Sequence, residues 1–97
     1  MEHSGISLQV IEEIIALAQK YRVEKVILFG SRARGDWHTT SDIDLAVCGG
    51  DVINFTVAVE EDTTTLLQYD IVNLDGNVQI ELLDSIRREG KILYEKV

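Results

Sequence analysis

The chain has 97 residues, nine basic and seventeen acidic, for a net charge of −8. It is expected to form one domain, residues 1–97, around one modest core, and its acidic balance speaks against a long DNA or RNA ligand, which needs a basic footprint, and suits a basic protein partner. No run approaches the ~20 apolar residues of a membrane span, no basic-then-apolar leader opens the chain and the single Cys48 excludes an internal disulfide, so a cytoplasmic protein with no membrane association is expected.

Ser7 is placed to cap a first helix running to Tyr21, with Leu8, Ile11, Ile15 and Ala18 along one face and Ile14 and Leu17 widening it. A strand from Lys25 to Phe29 follows, because Val26-Ile27-Leu28-Phe29 is short, apolar and β-prone and Gly30 ends it. Gly30 has no Cβ, so the backbone can come close to a ligand there. Ser31 to Arg34 then open a short helix, whose free N–H groups attract anions and to which Ser31 adds a hydroxyl donor. Arg32 and Arg34 bring positive charge suited to phosphate oxygens, or are plain solvated charges. Trp37 and His38 lie in the spacer that follows, either over a bound base or as a packed indole and a solvent-facing imidazole.

The second strand covers Asp42 to Val47 and stops at Gly49-Gly50. Strand side chains alternate, so Asp42 and Asp44 share one face while Ile43, Leu45 and Val47 take the other. Two carboxylates two residues apart lie roughly 7 Å apart at Cβ and repel by about 2 kcal/mol at an effective dielectric near 20. A hard cation offsets that repulsion; magnesium or manganese fits oxygen ligands and bridges phosphates, and two such ions can clamp the attacking and leaving oxygens of a displacement. Between Val52 and Thr65 the β-branched residues weaken the helix that the alternation of elements asks for. A third strand from Tyr69 to Leu74 opens on Asp70, the candidate third carboxylate, expected beside Asp42 and Asp44 to hold metal and help deprotonate an attacking hydroxyl. Asp75 is the lesser candidate, because Asp75-Gly76-Asn77 reads as a turn. Asn77 is placed to cap a last helix to Glu89, with Val78, Leu82 and Ile86 aligned and Gly90 as its stop, before an edge strand from Lys91 to Tyr94. The fold class is α/β, a mixed sheet of three to four strands flanked by helices.

The run Leu28-Phe29-Gly30-Ser31-Arg32-Ala33-Arg34-Gly35, followed by Ser41-Asp42-Ile43-Asp44-Leu45-Ala46-Val47, resembles the nucleotidyltransferase superfamily typified by DNA polymerase beta, and within it the minimal nucleotidyltransferase (MNT) group. The matching positions are Gly30, Ser31, Asp42, Asp44 and Asp70, and the Arg32-Ala33-Arg34-Gly35 continuation and closing Glu89-Gly90-Lys91-Ile92-Leu93-Tyr94 also look like that group. The resemblance implies a small nucleotidyltransferase fold. It also implies magnesium-dependent transfer of a nucleoside monophosphate, AMP from ATP, to a hydroxyl with release of pyrophosphate. MNT proteins are commonly antitoxins whose partner is a HEPN-type toxin, and some adenylylate a tyrosine on it.

Larger transferases of the superfamily append a domain that holds the acceptor; so short a chain is expected to rely on a partner protein, or on a second copy of itself, to present the hydroxyl. The rival readings are an antitoxin that neutralises its partner by binding alone, and a transferase acting on a small molecule. Three repelling carboxylates have no physical reason to stay together in an idle site, which favours the enzyme.

Overall fold

The computed structural model describes residues 2–97. A 3-10 turn (Glu2–Ser4) leads into α1 (Leu8–Lys20), β1 (Lys25–Phe29), α2 (Ser31–Arg34), β2 (Ile43–Cys48), α3 (Val52–Asp62), β3 (Tyr69–Asn73), α4 (Ile80–Glu89) and β4 (Lys91–Glu95). The four strands form one mixed sheet in the order β3-β2-β1-β4. β1 is antiparallel to β2 and β4, and β2 is parallel to β3. This is the expected nucleotidyltransferase-type α/β arrangement.

Ser7 caps α1, its Oγ accepting from the Val10 N–H at 3.2 Å. Val10, Ile11, Ile14 and Ala18 are buried. Leu8, expected on that face, is 69% exposed. As the first helical residue it points back beyond the helix start, and Val10 packs instead.

α3 is a helix despite its composition. Val52, Ile53, Thr56, Val57 and Val59 together cost about 2–3 kcal/mol in propensity. Against this, Val52, Phe55 and Val59 are buried, and each is worth about 1.5–3 kcal/mol. Asp51 caps the helix by accepting from the Asn54 N–H at 3.2 Å. Packing wins over propensity.

α4 begins later than its sequence signal. Asn77 is exposed in a loop and the helix starts at Ile80, with Gln79 as a cap that makes no side-chain bond. The Leu82 and Leu83 N–H groups both donate to the Gln79 carbonyl at 3.1 Å. That start sets Leu82 and Ile86 over Phe29, Ala46 and Val72.

The sheet therefore has two unlike faces. Ile43, Leu45, Val47, Val26 and Leu28 pack with α1 and α3 in the larger core. Phe29, Ala46 and Val72 face α4 in a smaller one. Asp44 and Asp70 alternate with the first set and so lie on the α4 face. Cys48 and Tyr94 are half-buried near the strand ends. Among the described residues no helix is long and apolar enough to cross a membrane.

Candidate active site

β1 ends at Gly30, which takes φ 74° and ψ −159°, a conformation open to glycine and strained for any other residue. A second constraint acts there as well: a Cβ on Gly30 would run into the Asp44 carboxylate. The chain turns at once into α2, with the Ala33 and Arg34 N–H groups donating to the Gly30 carbonyl at 3.1 and 3.0 Å. Ser31 opens that turn, half-buried, and its hydroxyl has no hydrogen-bond partner among the described residues.

On the neighbouring strand, Asp44 is the register partner of Phe29 in β1 and of Asp70 in β3. The parallel β2–β3 pairing brings the two aspartates side by side on one face. Asp42 precedes β2 by one residue and is exposed; Asp44 is half-buried and Asp70 exposed. No ion pair or side-chain hydrogen bond meets any of the three among the described residues. Burial, then Asp70, then Asp42 push the Asp44 carboxyl up to about 6 from an ordinary 3.8, and Arg34 only partly offsets them. Asp75, the lesser candidate, is at the other end of the β2–β3 pair, where its carboxylate accepts from the Gly49 N–H at 2.8 Å.

The two arginines part company. Arg34 is exposed and reaches the acidic end. Arg32 is 2% exposed, and its guanidinium is committed to main-chain carbonyls: Ser41 at 3.0 Å, Ser4 at 2.9 Å, His38 at 3.3 Å and Thr39 at 3.4 Å. The Trp37 ring lies over it, 5.0 Å from guanidinium carbon to ring centroid. The expectation that Arg32 faces a phosphate is therefore corrected: it ties the spacer loop to the N-terminal turn and fixes the residue before Asp42. Trp37 is packed, its Nε1 donating to the His3 carbonyl at 2.6 Å, and His38 is exposed.

Glu89, the last residue of α4, was not foreseen at the site. Its Oε1 accepts from the Gly30 N–H at 3.1 Å, and both its oxygens accept from Arg34 Nη1 at 3.1 Å. It lies 59 residues from Gly30, and nothing local in the sequence marks it.

The donor set suits a hard divalent cation: carboxylate oxygens, mutually repelling, without a bonded protein cation. Among the described residues no three His, Cys, Asp or Glu side chains are gathered tightly enough to hold a metal as they stand. The cross-strand pair Asp44–Asp70 is the fixed part of the set, and Asp42 stands beside it at the strand entrance.

Comparison with known proteins gives concordant results. A model of the family described as polymerase beta, nucleotidyltransferase, matches residues 12–97. The chain is 36% identical over 95 residues to a "putative protein adenylyltransferase" of Methanocaldococcus jannaschii, covering 86% of this chain and 92% of that protein. A solved toxin–antitoxin structure with AMP-PNP is similar at a TM-score of 0.72 and 26% identity, over 89% of this chain and 73% of that one. A mutant form of the toxin–antitoxin MntA-HpeT is similar at a TM-score of 0.69 and 26% identity, over 88% and 72%.

Proposed function

The chain belongs to the polymerase beta nucleotidyltransferase family, and we propose that its acidic end transfers AMP from ATP to a tyrosine hydroxyl of a HEPN-type toxin, which it thereby neutralises. The observation that carries this reading is the pairing of Asp44 with Asp70 beside Gly30, like charges held together with no bonded cation among the described residues. The similarity to a solved toxin–antitoxin with AMP-PNP supports both an adenine nucleotide and a toxin partner.

Asp42, Asp44 and Asp70 are the residues that would hold magnesium or manganese, and bound cations supply neutralisation of the phosphate charge. The chain's own part is to bind and orient. The Gly30 N–H, the Ser31 hydroxyl and Arg34 donate to the triphosphate oxygens. Asp70, exposed at the rim, takes the proton of the acceptor hydroxyl. The acceptor oxygen bonds to the α-phosphorus as the bond to the bridging oxygen breaks, and pyrophosphate leaves with the electron pair. The partner that presents the hydroxyl supplies proximity, and the net charge of −8 speeds encounter with a basic partner at low salt.

The test is to incubate the chain with ATP, magnesium and the toxin partner and to weigh the partner. The expected result is a gain of one AMP unit on a tyrosine, absent without magnesium and in Asp44→Asn. A partner fully neutralised by Asp44→Asn, with no mass gain, would establish the rival reading of neutralisation by binding.

A further inference from the structure

Glu89 is held where a phosphate is expected. Its carboxylate bridges the Gly30 main-chain N–H and the Arg34 guanidinium, with all three contacts at 3.1 Å. These two donors are the ones assigned above to the triphosphate, and on that assignment this inference rests. A carboxylate offers two anionic oxygens in a plane, so it satisfies a guanidinium and an amide much as two phosphate oxygens do. The Glu89 side chain is only 18% exposed while that of Arg34 is 45% exposed, so the acid is seated and the base reaches over it.

The backbone under Glu89 is pinned. A Cβ on the following Gly90 would meet the Ile86 carbonyl and the Ile27 side chain, and the next residue, Lys91, begins β4, paired to Leu28 of β1. α4 is fixed at its other contact by the buried Ile86. Glu89 adds a fourth negative charge to a site with Asp42, Asp44 and Asp70 and is one of the groups that disfavour ionised Asp44. Among the described residues, the Gly30 N–H and Arg34 are what hold it there.

We propose that Glu89 is an internal stand-in for the phosphate chain: it occupies the Gly30 and Arg34 donors in the free protein and is displaced by the triphosphate, which sets the affinity of the site. The arrangement keeps both donors satisfied and oriented until the ligand arrives, and every phosphate that binds must first break the Glu89 contacts.

The test uses inorganic tripolyphosphate with magnesium, titrated calorimetrically into the full chain, so that no nucleoside or transfer step is involved. Glu89→Gln weakens both contacts and is expected to bind tripolyphosphate about tenfold more tightly than the native chain. Glu89→Asp keeps the charge but is one methylene too short to bridge both donors, and is expected to bind more tightly as well, which guards against a fold defect in one variant. In Arg34→Gln the gain on adding Glu89→Gln is expected to shrink. Equal affinities, weaker binding in both Glu89 variants, or no binding in any chain would overturn the stand-in. Loss of AMP transfer in a chain that still shows the Glu89 effect would overturn the proposed function alone.

Discussion

The two ends of the β1–β2 pair carry similar residue types in opposite states. At the end where β1 starts, Lys25 pairs with Glu95 at 3.1 Å, the two being register partners across β1 and β4, and Asp75 accepts from a main-chain N–H. At the end where β1 stops, Asp42, Asp44 and Asp70 stand together with no bonded cation among the described residues. A carboxylate that has found a local partner stabilises the fold. A group of carboxylates that repel one another and are still held in register is a cost the fold carries for a ligand. An open cleft lined by Glu24, Lys25, Cys48, Glu95 and Lys96 lies at the paired end.

The largest effect on that contrast is expected from Asp44→Asn. Removing the central carboxylate should lower magnesium-dependent AMP transfer by about three orders of magnitude or more, read as incorporation of labelled AMP. Next comes Gly30→Val, which puts a branched side chain against Asp44 and demands a strained φ worth about 1–3 kcal/mol. It should abolish the ATP-plus-magnesium shift in melting temperature. If Gly30→Val keeps that shift, Gly30 does not meet the phosphates.

Arg32→Ala and Arg34→Ala then separate the two arginines. Loss of Arg32 takes the guanidinium donors from four main-chain carbonyls and empties a buried position, and should cost about 3 kcal/mol or more in urea unfolding. Loss of the exposed Arg34 should cost under about 1 kcal/mol but weaken nucleotide binding. Lys25→Ala, at the paired end, should give the smallest change, under about 1 kcal/mol, with native transfer rates.

The acidic end should also sign itself in the pH dependence of stability. Asp44 has an ordinary value of 3.8 and titrates at about 6 in the folded, ligand-free chain. The folded state thus binds this proton more tightly than the unfolded state, so the contribution is complete below about pH 4 and is lost as pH rises through 6. Asp44→Asn should melt higher than the native chain at pH 7 without metal, and the gap should close by pH 4. A constant gap across that range would mean that Asp44 does not carry the strain.

Much of this geometry was legible before folding, for physical reasons. A β-prone run ended by Gly-Ser and an Asp-apolar-Asp run define two strands by local pattern, and the third apolar run placed Asp70 at a strand start, where β3 pairs with β2. Ser7 announced its helix by its own hydroxyl. Tertiary context decided the rest. Arg32 and Arg34 look alike in sequence, and only burial under Trp37 makes the first a loop anchor. α3 is written in β-branched residues and is helical because Phe55 and its neighbours are buried. Asn77 is a good cap two residues too early for Leu82 and Ile86 to reach the sheet. Glu89 reaches Gly30 only because β4 pairs with β1, a long-range pairing that no local pattern encodes.

The most direct test of the contrast is to add trace manganese with ATP to the isotopically labelled native chain and to follow its amide resonances. Manganese broadens signals close to it. The account predicts that Gly30, Asp42, Asp44 and Asp70 fade first while Lys25, Cys48 and Glu95 persist, and that Asp44→Asn removes the selectivity. Uniform broadening, or earlier loss at the Lys25–Glu95 end, would contradict it.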